Sequence, residues 1–312
     1  MTSTTPSPLP TNPAPCDEQK QQVKNARWGL VLGLIGVLTF AGSLPATRIA
    51  VAGFNAGFLT FGRALFATFA AILCLLYMKK KFPRQHLWPL LFAGITLIFG
   101  FPGFMTLAMV TVPASHGGVV LGILPLATAI FATILAGERP SPLFWLCGIA
   151  GAVLIVTFAL RDGNWGLEMG DLWLLIAGIM ASSGYVVSGK LSHHMPGWEV
   201  ICWALILFLP VSALGSVIFW QNDYWTSPPP PPQLWAFAYV SFGSMFLGFF
   251  AWNTGLRLGG IAKVGQLQLF QTFFTLGIAA LFVGETISLE TVGFAAAVLL
   301  VVLVGRKAQV AR

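Results

Sequence analysis

Ten apolar stretches, each close to the length a helix needs to cross a bilayer, divide the sequence from Trp28 to Gly305. They fall at roughly 28–51, 54–77, 87–109, 115–137, 142–160, 171–190, 199–220, 234–256, 262–283 and 289–305. About 20 apolar residues in a helix span the hydrocarbon core, where the backbone must satisfy its own hydrogen bonds. The interruptions are "KKKFPRQH" (79–86), "RDGNWGLEMGD" (161–171) and "QNDYWTSPPPPPQ" (221–233), too charged or too rich in turn residues and proline to insert as helix. Ser141-Pro142 and Ser288 read as helix starts. Only 9% of the residues are charged, against about a quarter in a soluble domain. The expected fold is an all-α polytopic membrane protein with ten transmembrane helices.

Lys and Arg sort by side. With the N-terminus in the cytoplasm, the inner segments hold Lys20, Lys24, Arg27, Lys79, Lys80, Lys81, Arg84, Arg139, Lys190, Arg257, Lys263, Arg306, Lys307 and Arg312. The outside holds only Arg48 and Arg161, and Arg63 lies within span two. The positive-inside rule then puts both termini in the cytoplasm. The net charge of +7 is spent on topology, so nucleic acid is not an expected partner. Residues 1–27 lack the basic-then-apolar order of a signal peptide and read as a disordered cytoplasmic tail; 306–312 reads as a short basic one. The four cysteines show neither metal spacing nor a disulfide framework, and no metal or cofactor is expected.

One punctuation occurs twice. "ILAGE" (134–138) closes span four and "LFVGE" (281–285) closes span nine, 147 residues later. "ARWGLVLGLIGVLTFAGSLPATRI" (26–49) aligns with "EMGDLWLLIAGIMASSGYVVSGKL" (168–191) at an offset of 142, matching Gly36 to Gly178, Gly42 to Gly184 and Arg48 to Lys190. The repeat unit is five helices, 28–160 and 171–305. An odd number of crossings inverts the second copy, so Glu138 falls inside and Glu285 outside. Two inverted five-helix repeats with a site between them are a transporter architecture.

In "GSLPATRIAVAGFNAGFLTFGRALFA" (42–67), "ILPLATAIFATILAGERPSP" (123–142) and "AWNTGLRLGGIAKVGQLQLFQTFFTLGIAALFVGETIS" (251–288) the chain resembles the drug/metabolite transporter superfamily, of the ten-helix EamA type. The family's proline in the fourth helix of each repeat is present as Pro125, but its second counterpart is Thr272. The resemblance implies export of small metabolites, such as amino acids, across the bacterial inner membrane, by a carrier acting as a monomer among membrane lipid.

Candidate substrate contacts follow from polarity at depth. Arg63 stands nine residues into span two, about 13.5 Å along the helix, where a charge must face a cavity or a partner. In span nine Gln268, Gln271, Thr272 and Thr275 share one sector, with Gln266 opposite. Ser182, Ser183 and Tyr185 of span six, and Thr39 and Ser43 of span one, are placed across from them by the repeat. His116 opens span four, and Trp252-Asn253 lie near the inner end of span eight. Gly29/Gly33, Gly118/Gly122 and Gly255/Gly259 are small-xxx-small pairs that let helices approach. "GYVVSGKL" (184–191) lacks the Ser or Thr of a phosphate loop and ends a membrane helix, so it is accidental. His193-His194 read as a solvated inner loop.

No H-E-x-x-H, G-x-S-x-G or intramembrane carboxylate pair is present, so an enzyme is not expected. A flippase or carrier for lipid-linked or nucleotide sugars is the rival reading, but it favours a wide basic cleft. With Glu138 and Glu285 at the membrane boundaries and the other carboxylates in the tail, loops or helix ends, the sequence predicts facilitated diffusion with at most a modest pH effect through His116, whose ordinary pKa is about 6.5.

Overall fold

A computed structural model describes residues 15–136, 139–140, 142–162, 168–192, 194–259, 266–307 and 310–311. It is helical throughout, apart from a two-residue antiparallel pairing of Arg139–Pro140 with Val310–Ala311. Six helices are long and apolar enough to cross a membrane, and a bent pair, Gly197–Leu207 and Leu209–Ile218, makes a seventh. Three shorter apolar helices, Trp145–Arg161, Gln271–Val283 and Leu289–Val304, stand where spans five, nine and ten are expected. The first helix begins at Pro15, inside the segment read from sequence as disordered tail. Large apolar side chains such as Leu73, Trp88, Val217 and Leu281 point outward, as a lipid-facing surface requires.

Several ends are built as their residues dictate. The Asn55 side chain accepts from the Gly57 N–H at 2.8 Å and so caps span two (Ala56–Tyr77). Ser288 accepts from the Thr291 N–H at 3.0 Å at the start of span ten. Gly284 ends span nine in the left-handed region, with φ 76°, which frees the following Glu285 to turn back toward span four. Glu138 and Ser141 lie outside the described residues. Span seven bends by 53° at Phe208, just before Pro210, which has no N–H to continue the ladder.

The packing follows a two-fold pattern. Span one lies on span eight as span six lies on span three; span four meets span six as span nine meets span one; spans two and seven, four and nine, and five and ten pair directly. Glycines set the closest approaches. A Cβ on Gly255 would come within 2.6 Å of the Gly33 nitrogen, and one on Gly118 within 2.9 Å of the Thr275 methyl. Arg48 and Lys190, matched by the repeat, each donate to carbonyls near the end of a neighbouring helix: Arg48 to Met109 and Val110, Lys190 to Leu135.

Even the irregularities repeat. Span three passes through a π-helical stretch at Ile95–Gly100, and the 147-residue shift lays it on 242–247, inside the π-helical Tyr239–Gly248 of span eight. Span four tightens to a 3-10 turn at Leu121–Ile123, which the same shift lays inside the 3-10 turn Gln266–Phe270 of span nine.

Candidate functional site: a central cavity faced by a buried arginine

These four irregular segments meet in the middle of the bundle. Leu97 comes from the π stretch of span three, Ser244 and Met245 from that of span eight. Leu121 comes from the 3-10 turn of span four and Gln268 from that of span nine. They line two adjoining cavities, of about 30 Å³ and about 20 Å³, with Leu44, Leu121 and Gln271 common to both. Irregular backbone at membrane depth is tolerated where it lines a cavity, and π turns cluster at functional sites. Each space is large enough for only one or two waters. A metabolite does not fit, so substrate entry requires the helices to separate.

Arg63 faces the larger cavity and is 2% exposed. Its Nε and Nη1 find no hydrogen-bond partner among the described residues. A buried, unpaired charge costs several kcal/mol, so this one is held against the interest of stability. Gln271 leaves its Oε1 buried and unpartnered in the same way. Tyr185 and Ser43, matched by the 142-residue shift, both line the larger cavity, and the Ser43 hydroxyl bonds that of Ser244 at 2.6 Å. Phe40, Phe101 and Phe249 supply apolar walls. The arrangement offers donors for an anion, an acceptor for a cation, and aromatic surface.

The remaining sequence candidates stand elsewhere or are already committed. Thr275 lines the smaller cavity but donates to the Ala41 carbonyl at 3.0 Å. Thr39 donates to Ile35 O, and its own carbonyl accepts from the Tyr239 hydroxyl. Ser183 donates to Met180 O. Trp252 is buried against Val37 and the glycine face of span one, and Asn253 donates to Gly197 O at 3.0 Å. His116 lies outside both cavities. Its Nε2 stands 2.6 Å from Asp171 Oδ1, and both side chains are buried.

Asp171 stands at a helix end, as the sequence indicates, and there it is paired and buried. Asp171 is 3% exposed, with a partner 55 residues away that no local pattern reveals. Ser244 and Phe249 were also missed. The available signal for Ser244 was a hydroxyl inside the apolar run of span eight; nothing marks Phe249 among that run's other aromatic residues.

A family model described as the EamA-like transporter family matches residues 27–160 and again 168–305. The uncharacterized transporter YdeK of Bacillus subtilis (strain 168) is 41% identical over 280 residues, covering 89% of this chain and 97% of the relative. The aromatic amino acid exporter YddG of Ancylobacter novellus is 27% identical over 187 residues, 58% of this chain and 63% of its own. A probable terminal-alkyne amino-acid exporter of Streptantibioticus cattleyicolor is 24% identical, covering 92% and 95%. One solved crystal structure superposes with a TM-score of 0.60 at 19% identity, over 88% of this chain and 95% of that one, a likeness of fold.

Proposed function

The chain belongs to the EamA-like transporter family, and from that premise we propose that it exports small metabolites, amino acids foremost, across the inner membrane. Both termini lie in the cytoplasm, the two five-helix repeats are inverted, and the cavity between them opens alternately to either side. The protein works as a monomer. The observation that carries this reading is Arg63, a buried guanidinium with unspent donors in a midplane cavity. A carboxylate is the group that fits it, because a planar anion satisfies Arg donors in pairs. Gln271 Oε1 accepts from the ammonium, Gln268, Tyr185 and Ser43 complete the polar rim, and the phenylalanines receive an apolar side chain. The names of two relatives, both amino acid exporters, support the same substrate class.

Proteoliposomes loaded with amino acids, polyamines or sugar nucleotides test the proposal. Amino acids should leave, and the corresponding amino acid methyl esters, which lack the anion, should not compete with them. Efflux of sugar nucleotides or polyamines with amino acids retained would overturn it.

A further inference from the structure

The connection between spans two and three, "KKKFPRQH" (79–86), serves the sequence reading only as a topology signal, but its conformation asks more of it. Span two ends at Tyr77 in a Schellman turn. The Lys79 N–H donates to the Leu76 carbonyl and the Lys80 N–H to that of Leu75, both at 3.1 Å. The left-handed position of such a turn normally goes to glycine, because a Cβ is strained there. Here it holds Lys79, with φ 50°, and no other non-glycine residue among the described residues has a positive φ. Glycine would make the same turn with less strain, so what Lys79 adds is its ammonium group. A strained residue of this kind points to function.

The turn divides the cations. Lys80 goes back against span seven, where its Nζ meets Glu199 Oε2 at 3.0 Å, and Trp203 Nε1 donates to the other carboxylate oxygen at 3.2 Å. Lys79, Lys81 and Arg84 are exposed. Their side chains form no hydrogen bond or ion pair among the described residues. Tyr77 and Trp88 bracket them, 84% and 79% exposed, and such amphipathic rings sit at the headgroup level of a bilayer. Three unpaired cations are therefore held at the depth of lipid phosphates.

We propose that this connection is a docking site for anionic phospholipid, with Lys79, Lys81 and Arg84 gathering the phosphates of adjacent headgroups and Tyr77 and Trp88 fixing the depth. A phosphatidylcholine headgroup brings a positive charge with its phosphate, whereas a phosphatidylglycerol headgroup does not, so the basic cluster favours the second. The connection after span seven, "QNDYWTSPPPPPQ" (221–233), carries no Lys or Arg, so the site belongs to one face of the molecule. Its place in the cytoplasmic leaflet rests on the orientation given under the proposed function, and the site itself rests on no substrate.

The test reads lipid beside the turn. A fluorophore is attached at Gln85→Cys, exposed between Arg84 and His86, in full-length protein whose native cysteines have been replaced. The protein is placed in phosphatidylcholine bilayers, both leaflets alike, holding a minor fraction of nitroxide-labelled phosphatidylglycerol or, in parallel, nitroxide-labelled phosphatidylcholine. At low salt phosphatidylglycerol should quench more strongly, because it gathers at the label. Lys79→Gly keeps the turn and should lower that enrichment by up to roughly fivefold, the weight of one cation at an anionic surface. It should also melt no lower than the parent in detergent. Lys79→Gly combined with Lys81→Gln and Arg84→Gln should abolish the enrichment. So should about 1 M salt in the parent, where charges are screened beyond about 3 Å. Equal quenching by the two lipids in the parent, or an enrichment that survives the triple variant or the salt, overturns the proposal. A Lys79→Gly protein that melts lower than the parent overturns it too, because the side chain would then serve the fold. So does displacement of the lipid by inorganic phosphate at constant ionic strength, which would make this a site for a free anion. Efflux is measured separately, so a failure of amino acid export would count against the transport reading and leave the lipid site to the quenching alone.

Discussion

The seam where the start of span four meets the second repeat and the central cavity are built from the same kinds of residue and treat them in opposite ways. At the seam Glu285 and Asp171 each accept more than one hydrogen bond, Arg48 reaches two carbonyls, and the Tyr224 hydroxyl takes the Asn55 N–H. In the cavity, Arg63 Nε and Nη1 and Gln271 Oε1 are as deeply buried but have no hydrogen-bond partner among the described residues. Where polar atoms are saturated the protein is holding itself together. Thr47, Ser182 and Ser212 also leave buried hydroxyls without a partner among the described residues, but they line neither cavity; under the proposed function, it is the open groups at the cavity that await a ligand.

The largest expected effect tests the cavity side of that contrast. Arg63→Met keeps length and removes the charge. Amino acid efflux from proteoliposomes should fall by roughly 10- to 100-fold or more, the loss expected for hydrogen bonds to a charged group. Thermal stability in detergent should rise, by about 1–4 kcal/mol, because an unpaired buried charge has been replaced by an apolar side chain. A variant that is both inactive and less stable would show Arg63 to be a structural residue and erase the contrast.

The seam should respond with the reverse pattern. Glu285→Ala leaves two N–H groups at the start of span four without their acceptor, at a cost of about 1–3 kcal/mol each if they stay dry. The melting temperature should drop, while the residual efflux of folded protein keeps its substrate preference. A Glu285→Ala protein as stable as the parent would mean that water reaches the seam and that its contacts are not what closes it.

How much of this could be read beforehand depends on whether the signal is local. The spans were legible because a run of apolar residues is its own evidence. Arg63 and the Gln268–Gln271 face were legible because a polar group at the midplane stands out against such a run. The four backbone irregularities were not, since "ITLIFG" (95–100) has no residue that distinguishes a π turn from an ordinary one. Polarity alone also does not separate ligand contacts from internal bonds. Thr39, Ser183 and Asn253 carry the same signal as Gln271, yet each is spent on a carbonyl. The Gly-Glu punctuation showed where a helix stops, but that Glu285 returns to cap span four is a fact of three dimensions.

Ser43 and Ser244 fall between the two regions, and they give the smallest but most discriminating test. Their hydroxyls are satisfied, at 2.6 Å and across the two repeats, as at the seam, yet they line the cavity beside Arg63. Ser244→Ala removes one hydroxyl from the pair. Ser43 retains the Thr39 carbonyl, 3.4 Å away, as a nearby acceptor, so the stability loss should not exceed about 1 kcal/mol. If the pair opens to receive substrate, the concentration for half-maximal efflux should rise by roughly two- to fivefold, the weight of one neutral hydrogen bond, with little change in maximal rate. A clear drop in melting temperature with unaltered concentration dependence would assign the serines to the framework. The line between satisfied scaffold and open site would then run inside the cavity wall, between Ser244 and Arg63.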